Sequence, residues 1–175
     1  MIPLETPRLL LRGLAASDVP ILIALWTDPE VTRHMGGPRD RVRLEQVYEE
    51  ELRLAVPPRY TLWPVVERTA GRVIGECGLT EKEVEGRQEL ELVYILARDA
   101  WGRGYATEAA AAVRDAAERE GITRLIALIA PGNPASARVA QKIGMRLEGE
   151  VIRPGGAVRH VYAVALGQGK PSGPA

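Results

Sequence analysis

Between Gln88 and Gly144 the chain reads strand, glycine loop, helix, strand, helix. "QELELVYILA" (Gln88–Ala97) and "RLIALIA" (Arg124–Ala130) end as continuous apolar runs, the pattern of strands buried on both faces. A helical stretch from about Thr107 to Glu120 lies between them, with Gly121 placed to end it. Two strands joined by a helix of this length are expected to be parallel, with a right-handed crossover. Asn133 can cap the next helix, with Pro134 at its first position and Gly144 closing it.

The flanks read differently. "RLLLRGL" (Arg8–Leu14) predicts a first strand, and Ser17 or Asp18 can cap a short helix through "VPILIALW". "RDRVRLEQVYEEELRLAV" predicts a charged helix with Leu44, Val47, Leu52 and Leu54 at helical spacing. "RYTLWPVVE" predicts a strand in which Pro64 marks an edge or a bulge. "RVIGECGLT" (Arg72–Thr80) returns as its hairpin partner, and "KEVEGR" reads as a polar loop. "MRLEGEVIR" and "VRHVYAVAL" form a closing hairpin around the turn at Pro154. The expected fold class is a mixed α/β (α+β) sheet, antiparallel outside the central parallel pair, with helices on both faces. Residues 1–167 are expected to form one domain, with 168–175 expected to be a disordered tail.

Composition narrows the function. Lys plus Arg and Asp plus Glu both number 23, so no excess of positive charge marks a nucleic-acid footprint. No apolar run approaches the ~20 residues of a membrane span, and "MIPLETPRLL" lacks the apolar centre of a signal peptide. These features predict a cytoplasmic protein. Cys77 has no partner for an intramolecular disulfide and reads as a packed core residue, while His34 and His160 lack the neighbours of a metal site.

Gly102-Arg103-Gly104 stands directly before an alanine-rich helix. A helix N-terminus presents unpaired N–H groups and partial positive charge, and small residues let an anion reach them. The Lys-Ser/Thr of a P-loop is absent. A dinucleotide fingerprint has a third glycine where this chain has Thr107, and an acid where "RLIALIA" runs into Ala130-Pro131-Gly132. A third option is a pyrophosphate on a long thiol arm, coenzyme A, and a strand-to-helix turn with no ligand stands beside it at this point.

"WGRGYATEA" (Trp101–Ala109) resembles the pyrophosphate loop of the GNAT N-acetyltransferases, Gln/Arg-x-x-Gly-x-Gly/Ala: Gly104 and Ala106 match, and Trp101 stands at the Gln/Arg position. "NPASARVAQKIGMRLEGE" (Asn133–Glu150) is similar to that family's next motif through Asn133, Ser136, Val139, Lys142 and Gly144. "LETPRLLLRGL" and "VIGECGL" resemble the Rim-type branch, which acetylates ribosomal-protein N-termini. The resemblance runs from about Leu4 to Leu166. It implies a sheet splayed between "ELVYIL" and "RLIALIA", with acetyl-CoA in the V. The backbone of Tyr94, Ile95 and Leu96 would pair with the pantetheine arm. The loop of Trp101, Gly102, Arg103, Gly104, Tyr105, Ala106 and Thr107 would hold the pyrophosphate, with Asn133, Ser136 and Lys142 completing the cofactor contacts. No metal is implied.

The implied reaction is direct attack of an amine on the thioester. An α-amine (pKa ~7.7–8.0) costs about 3.5 kcal/mol less to deprotonate than a lysine amine (~10.4), so a protein or peptide N-terminus asks least of the enzyme's base. Candidate bases are Glu91, at the head of the cofactor strand, and Glu76, on its neighbour. Many family members carry a Tyr acid at the position of Ala140. Without it, Ser136 is the hydroxyl nearest the expected sulfur. His160 stands where the Rim-type pattern tends to have Asp. The other acceptors are a polyamine, an aminoglycoside or another small amine; a CoA-binding module without catalysis and an anion-binding scaffold are readings of a different class. The closing hairpin leaves an edge through which a homodimer can form.

Overall fold

The computed structural model describes residues 2–167, so the expected tail at 168–175 lies outside the described residues. Eight strands form one sheet: β1 (Leu4–Glu5), β2 (Leu9–Leu11), β3 (Leu62–Glu67), β4 (Arg72–Val84), β5 (Arg87–Leu96), β6 (Arg124–Ile129), β7 (Arg146–Ile152) and β8 (Val158–Ala165). Their order is β1-β2-β3-β4-β5-β6-β8-β7. Every neighbouring pair is antiparallel except β5 and β6, which are parallel and joined by helix α4 (Tyr105–Arg119).

Helices cover both faces. On one, α4 turns Ala109, Ala110, Val113, Ala116 and Ala117 inward against Leu79, Leu92, Leu96 and Leu125. A stripe of alanines lets the helix axis sit close to the strands. α5 (Pro134–Lys142) joins the same layer through Ala140 and the following Ile143. On the other face, α1 (Val19–Thr27) and α3 (Arg41–Arg53) pack Leu22, Leu25, Trp26 and Tyr48 onto Val66, Val73 and Ile95. The short α2 (Pro29–Thr32) follows α1, with Asp28 as its cap. A third cluster (Val84, Ile126, Val151, Val161, Ala163) ties the β4–β5 hairpin to the closing β7–β8 hairpin.

Several sequence expectations need correction. The strand expected over Arg8–Leu14 is shorter, Leu9–Leu11, and a two-residue strand, Leu4–Glu5, precedes it, the two separated by a turn in which the Thr6 hydroxyl and amide donate to the Leu9 carbonyl. "KEVEGR" is not a loop: β4 continues to Val84 and turns only at Glu85-Gly86, both at positive φ (49° and 76°). α4 starts at Tyr105, two residues before Thr107. Of α3's expected apolar positions, Val47, Leu52 and Leu54 are exposed and the buried residue is Tyr48, whose hydroxyl reaches a carboxylate on β4. The irregularity at Pro64 takes the form of a register shift between Val65 and Val66.

Candidate active site: a cleft between two parting strands

β5 and β6 meet at one register pair, Glu91 opposite Ile126. Beyond it the strands part. The space between them is a cleft of about 640 Å³, lined by Glu91–Leu96 on one side and Ala127–Ala130 on the other. The β5 edge facing the cleft therefore offers backbone groups that β6 does not pair.

The loop from Ala100 to Thr107 closes one end. Gly102 and Gly104 adopt left-handed conformations (φ 73° and 80°), and Gly104 is the N-cap of α4. A side chain at either is strained by about 1–2 kcal/mol. This geometry starts a 15-residue helix at the cleft with no side chain capping its first amides. Ala106 and Thr107 line the cleft. From α5, Arg138 and Lys142 add two exposed cations one turn apart, with no acid within ion-pair distance among the described residues. Amides, helix dipole and cations together suit the phosphates of a nucleotide-bearing substrate.

Other residues in this loop are engaged elsewhere. The Arg103 guanidinium pairs with Glu67 at 3.1 Å and stacks on Tyr105 at 4.8 Å. The Tyr105 ring is buried and its hydroxyl donates to Glu67. The Trp101 indole donates to the Leu96 carbonyl at 2.7 Å, occupying one of the backbone acceptors expected to face a pantetheine arm.

At the start of α5, Asn133 Oδ1 accepts the Ser136 amide at 3.1 Å. The Tyr94 side chain crosses from β5 to Ser136 at the start of α5, where its hydroxyl meets both the carbonyl and the side-chain oxygen of that residue. Ala140 is fully buried under α4 and offers no polar group.

The structure separates the two glutamates. Glu91 lines the cleft at its apex. Burial raises its pKa, against the opposing influence of Lys82, the Leu128 backbone, Arg153 and Arg159. Glu76 faces the α1–α3 layer, is 2% exposed and does not line the cleft. Trp26 Nε1 donates to it at 2.6 Å and the Tyr48 hydroxyl at 3.2 Å. Burial pushes its pKa up to about 7 despite those two donors. Cys77 is buried, and burial raises its thiol pKa. His160 lies outside the cleft lining, with Nε2 3.5 Å from Glu150.

The cleft is walled further by α2 and the turn after it: Glu30, Val31, Arg33, His34 and Met35. His34 faces Gly132, where a Cβ would stand 3.8 Å from its ring. Sequence reading missed this wall, since nothing local ties "EVTRHM" to the distant "APGNP". Arg138 was also missed, although its place four residues before Lys142 was a visible signal. No helix among the described residues is long and apolar enough to cross a membrane.

Comparison with known proteins agrees with this geometry. Residues 8–146 match the family model described as Acetyltransferase (GNAT) domain. The chain is 36% identical over 145 residues to the uncharacterized protein YkkB of Bacillus subtilis, covering 81% of this chain and 84% of that one. An acetyltransferase structure from Agrobacterium tumefaciens superposes with a TM-score of 0.77 at 31% identity, over 94% and 95% of the two chains. The fold is also shared, at 18% identity, with two structures of different acceptor. One is a spermidine N-acetyltransferase from Vibrio cholerae (TM-score 0.73; 91% and 96% covered). The other is a Salmonella typhimurium enzyme that modifies the N-terminal serine of ribosomal protein L7/L12 (TM-score 0.75; 93% and 97% covered). A cleft between parting parallel strands, a glycine loop at a helix start and a match over most of the chain lead to one conclusion: the protein belongs to the GNAT acetyltransferases.

Proposed function

We propose that this N-acetyltransferase moves the acetyl group of acetyl-CoA onto an α-amine at the N-terminus of a protein or peptide, in the cytoplasm, as the Rim-type branch does. One observation carries the choice of acceptor. The charged side chains lining the cleft are Glu30, Glu91, Arg33, Arg138 and Lys142, and Glu30 already faces Arg33 at 3.7 Å. A polyamine with several positive charges finds no excess of carboxylate here. An N-terminus brings one amine of low pKa and a neutral backbone.

In this reading the phosphates rest on the amides around Gly102–Thr107 and on Arg138 and Lys142. The pantetheine arm runs along Tyr94 and Ile95. The amine enters past His34 and Met35 and reaches the apex of the V. Glu91, directly or through a water, takes the proton that the amine must lose. Attack of the neutral nitrogen on the thioester carbonyl forms the C–N bond and breaks the C–S bond; the nitrogen, now bonded to the acetyl carbon, gives its second proton to water, and the thiolate leaves beside Ser136. Ser136 donates a hydrogen bond to the developing negative charge, and water supplies the proton that completes the thiol.

The test is thiol release from acetyl-CoA with peptides starting in Ala or Ser, with the same peptides blocked at the N-terminus, and with spermidine and an aminoglycoside. Turnover with free but not blocked peptides supports the reading. Turnover with spermidine or the aminoglycoside moves the acceptor to a small amine. Saturable acetyl-CoA binding with no turnover across the panel favours a binding module.

A further inference from the structure

Glu67, at the end of β3, makes contacts that the chemistry in the cleft does not account for. It is 7% exposed and accepts from three side chains: the Tyr105 hydroxyl, Arg103 Nη2 at 3.1 Å and Arg72 Nε at 3.2 Å. Tyr105 and Arg103 sit at the end of the glycine loop. Arg72 extends the contact to the loop's start, because its Nη1 also donates to Asp99. Arg8 closes the arrangement from outside: it stacks on Tyr105 at 4.5 Å, donates to the Arg103 carbonyl at 2.9 Å and pairs with Glu108. Hydrogen bonds from Tyr105 and Arg72 hold the Glu67 carboxyl below the usual carboxylate range. One carboxylate on the sheet thus grips both ends of a loop whose two glycines leave it free to bend.

We propose that Glu67 is a positioning residue for donor binding: by gripping Tyr105, Arg103 and, through Arg72, Asp99, it fixes the loop so that its amides converge on the donor's pyrophosphate. In this arrangement Arg103 serves the loop's shape, and its charge is spent on Glu67. Preorganised amides bind an anion without paying to order themselves, so the effect falls on donor affinity more than on the acetyl-transfer step. The inference rests on reading the loop as the pyrophosphate site.

The experiment compares two donors, acetyl-CoA and S-acetyl-pantetheine, which lacks the pyrophosphate. Glu67→Gln keeps the side chain's size and loses its charge. We expect KM for acetyl-CoA to rise about tenfold, and the preference for acetyl-CoA over S-acetyl-pantetheine, as a ratio of kcat/KM, to fall about tenfold. Tyr105→Phe should give a smaller shift of the same kind, and the double variant little more than Glu67→Gln, since both act through one contact. Equal loss with both donors would show a general structural role and overturn the proposal. So would an unchanged KM in a variant that melts like the wild type. Calorimetry of wild-type protein with acetyl-CoA separates the two readings: absence of binding there sinks the pyrophosphate site itself, whereas wild-type binding matched by Glu67→Gln sinks only the role of Glu67.

Discussion

The Tyr94 hydroxyl lies 2.9 Å from both the carbonyl oxygen and the side-chain oxygen of Ser136. One phenolic proton serves one of them at a time. The carbonyl can only accept, so when Tyr94 donates to it, the Ser136 hydroxyl donates back to Tyr94. In the proposed reaction the order can reverse as charge develops, with Tyr94 donating to Ser136 and Ser136 to the leaving sulfur. Burial raises the Tyr94 pKa, so it acts as a neutral donor. Tyr94→Phe should therefore lower kcat about five- to tenfold, and adding Ser136→Ala should cost little more. Steady-state kinetics of the single and double variants check this. Independent, multiplying losses would show that the two hydroxyls do not act together.

The two glutamates should separate in kinetics. Glu91→Gln, at the apex of the cleft, is expected to lower kcat by about a hundredfold, at the lower end of general-base effects, with KM for acetyl-CoA within about twofold. Glu76→Gln, sealed behind Trp26 and Tyr48, should keep kcat within about threefold. The reverse pattern would move the base to the α1–α3 side of the sheet.

Glu76 should be visible in stability. Its folded pKa, pushed up to about 7, exceeds the unfolded value near 4.3. Between those values the folded protein binds more protons than the unfolded chain, so stability falls as pH rises through that window and levels off above it. The contribution is on the order of 4 kcal/mol at most, from the 1.36 kcal/mol carried by each pH unit. Chemical denaturation at pH 5 and pH 8 measures it. Glu76→Gln should flatten the difference; an unchanged slope would assign it to other groups.

Arg138 and Lys142 should act by charge alone. Each change to Ala is expected to raise KM for acetyl-CoA about threefold at low salt, with the gap narrowing as ionic strength shortens the screening length. Titrating salt from low to physiological strength tests this. A salt-independent loss would show that the side chains pack instead of neutralising phosphate.

What the sequence disclosed was what short-range rules govern. The parallel crossover follows from two apolar runs and the helix between them, and the start of α5 from Asn133-Pro134. Gly121 and Gly144, expected to end helices, both have positive φ. β4 was read too short because Glu81, Lys82 and Glu83 look like a loop, although a strand projecting into solvent tolerates charge on its exposed faces. Tyr48, Trp26 and Glu76 converge from three elements, and no local pattern shows that an exposed-looking helix turns one tyrosine inward. The resemblance places Arg103 in the pyrophosphate loop, but nothing local points to its partner in the structure, Glu67, 36 residues away.

The single register pair between Glu91 and Ile126 has a mechanical meaning. Five strands stand on one side of it and three on the other, so the sheet is two panels sharing a short seam, strapped by α4. In the proposed binding mode, a donor arm lying along β5 would be the missing stitch. Loading the enzyme would then stiffen it, and releasing CoA would slacken it again, so that the two panels keep time with turnover.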